Sequence, residues 1–158
     1  MLKRLRHRLA QRRSAAATPS PRPVTHKLTH QLTRTADAAQ VQEVLRLARL
    51  SFVQMQAAWD RSDLSAIGIL AMAPLLDDLR CQLAQRGPQP NHTEVLQLEA
   101  RLLALEDLNE ALVASVEFSG MIREQQTAPA CHFKELWLLA NVKSADRGWK
   151  LAQVQSLS

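Results

Sequence analysis

The apolar residues of this chain change their period part-way along it, and that change constrains the fold more than any other feature. Val41, Val44, Leu45, Ala48, Phe52, Met55 and Trp59 recur every three or four residues, which is the stripe of a long amphipathic helix. Leu112, Ala114, Val116 and Phe118 then alternate with Val113, Ser115, Glu117 and Ser119, which is the period of a strand with one buried face. HFKELWLLANVK at 132–143 and WKLAQVQ at 149–155 continue in the same way, joined by turn residues around Gly148. Helices first and strands afterwards imply an α+β fold, with N-terminal helices packed on one face of an antiparallel sheet.

Boundaries follow from local chemistry. Asp37 is placed to cap the long helix, and residues 60–63 break it. Asp63 caps a short helical turn, LSAIGIL. Pro74 opens another helix through Arg86, which Gly87 and Pro88 end. The stretch 93–118 is contested. Its Leu, Ala and Glu content favours a helix, while the alternation after residue 111 favours strands. One helix would turn Glu106, Asp107 and Glu110 into its apolar side. Two strands would place these acids with Asn109 at an exposed turn. The expectation is therefore two strands joined near Asp107, and four strands in a meander.

Charge divides the chain a second way. Residues 1–36 hold nine basic residues (Lys3, Arg4, Arg6, Arg8, Arg12, Arg13, Arg22, Lys27 and Arg34) and no acid. Residues 37–158 hold the other 11 basic and all 15 acidic residues, a net charge of −4. The expectation is thus a basic, largely disordered segment, 1–36, and a folded domain, 37–158. Within the segment, Leu2, Leu5 and Leu9 lie at helical spacing among the basic residues, and a Pro-rich linker follows at 14–24. A peripheral membrane anchor, a mitochondrial presequence and a solvated tail all fit this pattern. An anionic surface is the partner implied by Lys3, Arg4, Arg6, Arg8, Arg12 and Arg13. The segment lacks the aromatic residues on which bases stack, which argues against nucleic acid. No apolar run approaches the roughly 20 residues that span a bilayer.

Catalytic chemistry is sparse. Cys81 and Cys131 form no CxxC and are expected as two free thiols packed as small apolar residues. Adjacent residues on a strand point to opposite faces, so Cys131 and His132 cannot act as a nucleophile–base pair; a packed thiol beside an exposed ring is expected. His26 and His30 are spaced for a metal but have no acid near them in sequence, and no metal or cofactor site is expected. Glu135, flanked by bulky apolar residues, is expected as a rim or cross-strand charge rather than a general base. Four glycines leave little for a phosphate-binding loop. Phe52, Met55, Trp59, Phe118 and Trp137 are candidates to line an apolar groove, where helix packs on sheet.

Three stretches carry a family resemblance: FVQMQAAWDRSDL at 52–64, VASVEFSGMIRE at 113–124, and the pair KELWLLANV and DRGWKLAQVQ at 134–155. An aromatic and Trp59 in the long helix, then an Asp–Leu turn, a strand with Trp137, and Trp149 opening the last strand resemble the Tim-forty-four-like domain, most closely its bacterial branch. The resemblance covers about residues 41–155. It implies a cone-shaped fold, related to the nuclear-transport-factor-two and cystatin-like folds, with a curled sheet wrapping a long helix beside an apolar groove. It also implies peripheral association with cardiolipin-rich membrane, beside a protein partner at a translocon or ribosome. The helical N-terminal half by which the import subunit recruits a chaperone has no counterpart here.

The expectation is a non-enzymatic adaptor held at an anionic membrane by its basic segment. The alternative is a lipid binder, small-molecule binder or enzyme with an apolar pocket in the same cone fold. Lack of a continuous apolar signal core places the expected site at the cytoplasmic face of a bacterial inner membrane or in the cytoplasm, with the mitochondrial matrix as alternative.

Overall fold

The computed structural model describes residues 37–87, 92–125, 128–145 and 147–157. Helix α1 spans Ala38–Asp60. Asp37 caps it, its side chain accepting from Ala39 N at 3.3 Å. Its buried stripe holds Val44, Ala48, Phe52, Met55 and Trp59, spaced four, four, three and four as the sequence period requires. Helix α2 spans Leu64–Leu70, and the Asp63 carboxylate accepts from Ala66 N at 3.0 Å. Helix α3 spans Ala73–Arg86, with proline in its first turn and Gly87 at its end at φ 78°.

The four strands are β1 (Thr93–Asp107), β2 (Ala111–Glu124), β3 (Cys131–Val142) and β4 (Trp149–Ser156). They form one antiparallel meander in sequence order. Helices packed on this four-stranded sheet make the α+β architecture that the order of periods implies. Residues 93–118 are indeed two strands and a turn. Asn109 sits there at φ 52°, and Leu108 N donates to Ala111 O at 2.9 Å. Lys143 Nζ donates to Asp107 Oδ1 at 2.6 Å, which holds that carboxyl below the usual carboxylate range.

The core lies between α1 and the inner sheet face. Phe52 meets Phe118 at 4.8 Å, Trp137 at 5.1 Å and Phe133 at 5.5 Å between ring centroids. The Phe118 and Trp137 rings meet edge-on at 5.2 Å. Bulges interrupt β1 between Val95 and Gln97 and between Leu102 and Ala104. Just past the first stands Gly120, paired with Leu98, where an added Cβ would lie 1.9 Å from Gln97 O. A bulge bends a sheet, and the glycine lets the backbones close at the bend. At the other side, β4 is tied to the helices: Met72 N donates to Leu151 O at 2.9 Å and Lys150 Nζ to Gly68 O at 3.2 Å.

Two expectations need correction. Cys81 and Cys131 are free thiols, but both are exposed rather than packed. Cys81 lies on the outer face of α3, off its buried stripe of Leu75, Leu79 and Leu83. Cys131 begins β3 ahead of its first core residue, Phe133, and the neighbouring His132 is exposed as well. Glu135 is not a rim charge. It is 1% exposed, because odd-numbered residues of β3 face α1, and its Oε2 accepts from Trp137 Nε1 at 2.8 Å.

Candidate functional site

The last residue of α1 fixes the start of β1. Asp60 Oδ2 accepts from Thr93 N at 2.6 Å and Oδ1 from Thr93 Oγ1 at 3.0 Å. Beyond this clamp an open groove of about 760 Å³ runs between the two elements. Val53, Gln56 and Ala57 line it from α1, and Val95, Leu96 and Leu98 from β1. Asp60, Arg61 and His92 also line it, and His92 is exposed. The volume falls within the range of ligand sites, and the wall is mostly apolar with a few polar groups.

The end of α1 beside the groove is held from α3. Arg86 Nη1 donates to Trp59 O at 2.8 Å and Nη2 to Asp60 O at 3.4 Å. Nη2 also donates to Ser62 Oγ. A cation bound to the final carbonyls complements the negative end of the helix dipole. The same guanidinium stands 5.4 Å from the centre of the Trp59 ring. The Trp59 indole nitrogen is buried with no hydrogen-bond partner among the described residues.

Gln56 is the anomaly of the groove. It is 3% exposed, and neither its amide nitrogen nor its amide oxygen has a hydrogen-bond partner among the described residues. It stands on the apolar stripe of α1, four residues after Phe52 and three before Trp59. A buried unsatisfied amide costs about 1–3 kcal/mol. Gln56→Met keeps a similar length without polar atoms, so it should stabilise the domain by about 1–2 kcal/mol. Denaturant unfolding checks this, and a less stable variant would mean that the amide is already satisfied. A local rule broken without compensation inside the fold is what functional or strained sites show.

The five residues read from the sequence as groove candidates occupy the core. Phe52 and Phe118 are 0% exposed, Trp137 2%, Trp59 3% and Met55 6%. The structure brings Phe52, Phe118 and Trp137 into one ring cluster, while the groove is lined by other residues of α1 and by the first half of β1. Lys3, Arg4, Arg6, Arg8, Arg12 and Arg13 lie outside the described residues, as do His26 and His30. Gln56 escaped the sequence reading, although a polar residue inside the stripe was a visible signal. No helix among the described residues is long and apolar enough to cross a membrane, and none of them form a group of three or more potential metal ligands.

No protein-family model matches the chain, and no curated protein matches it with significance. Among solved structures, it is similar to a nuclear transport factor 2 (NTF2-like) superfamily protein from Salmonella enterica subsp. enterica serovar Typhimurium str. LT2. The identity is 12% and the TM-score 0.43, covering 76% of this chain and 92% of that one.

Proposed function

We propose that this chain is a non-enzymatic adaptor of the Tim-forty-four-like kind, bound peripherally to an anionic, cardiolipin-like membrane surface by residues 1–36. Its folded domain offers the groove between α1 and β1 to a protein partner, as at a translocon or a ribosome. The observation that carries this reading is the charge division: nine basic and no acidic residues before Asp37, against a net charge of −4 after it. Near an anionic leaflet each Lys or Arg contributes about 1 kcal/mol, so the six within residues 3–13 supply several. Three leucines at helical spacing add an apolar term. The net negative charge of residues 37–158 adds nothing to that attraction.

The use made of the acids near the groove and in the core supports a binding role over catalysis. Asp60 clamps Thr93, Glu94 pairs with Arg123 at 3.4 Å, and Glu135 is held by the Trp137 indole inside the core. Each serves the fold. A small molecule or lipid in the groove is the second reading, favoured by the groove's volume.

Co-sedimentation with cardiolipin-containing vesicles tests the tether. Replacing Lys3, Arg4, Arg6, Arg8, Arg12 and Arg13 by Gln is expected to lower the bound fraction at least tenfold at low salt. Deletion of residues 1–24 should do the same. Unchanged binding in both variants would remove the tether and with it the adaptor reading.

A further inference from the structure

We propose that the groove takes an extended peptide segment of a partner protein, which adds as a fifth strand along the outer edge of β1. The proposal rests on the adaptor reading and names the chemistry of what that adaptor holds.

The two edges of the sheet are treated differently. The β4 edge is covered where the strand begins: Met72 N donates to Leu151 O, Ala71 bridges Leu151, and Lys150 reaches Gly68 O. The β1 edge is long, 15 residues, and among the described residues its ladder is with β2 alone. An edge strand presents a row of outward N–H and C=O groups, and another extended chain is what complements them. The groove lies beside the first half of this edge, so a chain added there would run between β1 and α1.

Gln56 gives the second observation. Its buried amide has a donor and an acceptor, both without partners among the described residues. A peptide group supplies the complementary acceptor and donor together; an acyl chain supplies neither. A third observation concerns side chains. Val53 is 50% exposed and Leu96 42% exposed, one on each wall of the groove. They offer apolar contacts to alternate residues of an added strand. Charge sets the remaining preference: of the four acids of β1, Arg123 pairs with Glu94 and Lys143 with Asp107, which leaves Glu99 and Glu106 against Arg101, itself paired with Glu117. The favoured segment is therefore apolar at alternate positions with basic residues between them.

The test uses the full chain and a library of acetylated, amidated nonapeptides, with Val, Leu, Ile or Phe at alternate positions and Lys or Thr between. Binding is read by fluorescence anisotropy in the absence of membranes. At least one family of sequences is expected to bind in the micromolar range. Methylating alternate backbone nitrogens of a bound peptide should weaken it at least tenfold, since it removes the strand's donors. Gln56→Met should weaken it about fivefold or more while the protein stays folded, and bound peptide should slow amide exchange at residues 94–98. Several results would overturn the proposal. One is no library member binding below millimolar concentration; another is equal binding of the methylated peptide. Displacement of the peptide by a lysophospholipid that itself protects the groove would make the occupant a lipid. Concentration-dependent protection of residues 94–98 in the free protein would make it a second copy, and protection at high dilution would make it the chain's own residues. Vesicle binding is measured separately, so loss of peptide binding with vesicle binding intact removes this proposal alone.

Discussion

Trp137→Ala is expected to destabilise the domain by roughly 3–5 kcal/mol, the usual cost of deleting a large buried aromatic. The side chain is 2% exposed and stands 5.1 Å from the Phe52 ring and 5.2 Å from the Phe118 ring. Its loss opens a cavity at the contact of α1 with the sheet. It also takes away the indole donor to Glu135, a carboxylate that is 1% exposed. Trp137→Phe separates the two effects. It keeps most of the ring volume and removes the N–H, and should cost about 1–3 kcal/mol. Denaturant unfolding followed by circular dichroism measures both. A Trp137→Ala protein that unfolds near the wild-type midpoint would place Trp137 outside the core and the inner sheet face on the wrong side.

Gly120→Ala is expected to cost a similar amount, about 3 kcal/mol or more, by a different mechanism. At φ 153° the backbone is in a region that residues with a Cβ adopt only with strain of about 1–3 kcal/mol. A Cβ there would meet Gln97 O at 1.9 Å and Gln97 C at 2.7 Å. These are backbone atoms of the neighbouring strand, so relief requires β1 to move and the β1–β2 ladder to open at the bulge. Gly68→Ala is the control. Gly68 lies in α2, and its added Cβ would come no nearer than 3.5 Å to Leu76 Cδ2. That substitution should be neutral or stabilising by about 0.5–1 kcal/mol, since glycine is the poorer helix former. If both variants unfolded alike, the close approach at Gly120 would not exist. Because Gln97 also lines the groove, loss of the bend should alter the site as well as the stability.

Most element boundaries were legible because single residues carry them. Asp37 and Asp63 accept the cap hydrogen bonds that their positions imply, and the acids near Asp107 mark the β1–β2 turn. In β2 the pairing is regular from Ala111 to Ile122 against β3, so the burial alternates as the sequence does. β1 was harder to read. Its two bulges each shift the phase of alternation, which blurs a strand already built from good helix formers. The groove was less legible still. Its shape depends on where a bulge in one strand meets a glycine in the next, which no local pattern encodes. Glu135 illustrates the same limit. Its alternation with Phe133 and Trp137 assigns it to the inner face, yet a carboxylate is an uncommon core residue until an indole donor is placed beside it.

In the proposed role, the basic segment holds this domain at an anionic membrane. The partition of the full chain between phosphatidylcholine vesicles with and without cardiolipin, measured across ionic strength, isolates this tether. Binding to the cardiolipin vesicles should be strong at low salt. It should collapse as the screening length shrinks from about 10 Å at 0.1 M to about 3 Å at 1 M. Neutral vesicles should bind little at any salt concentration. Equal binding to both kinds of vesicle, unaffected by salt, would rule out an electrostatic tether.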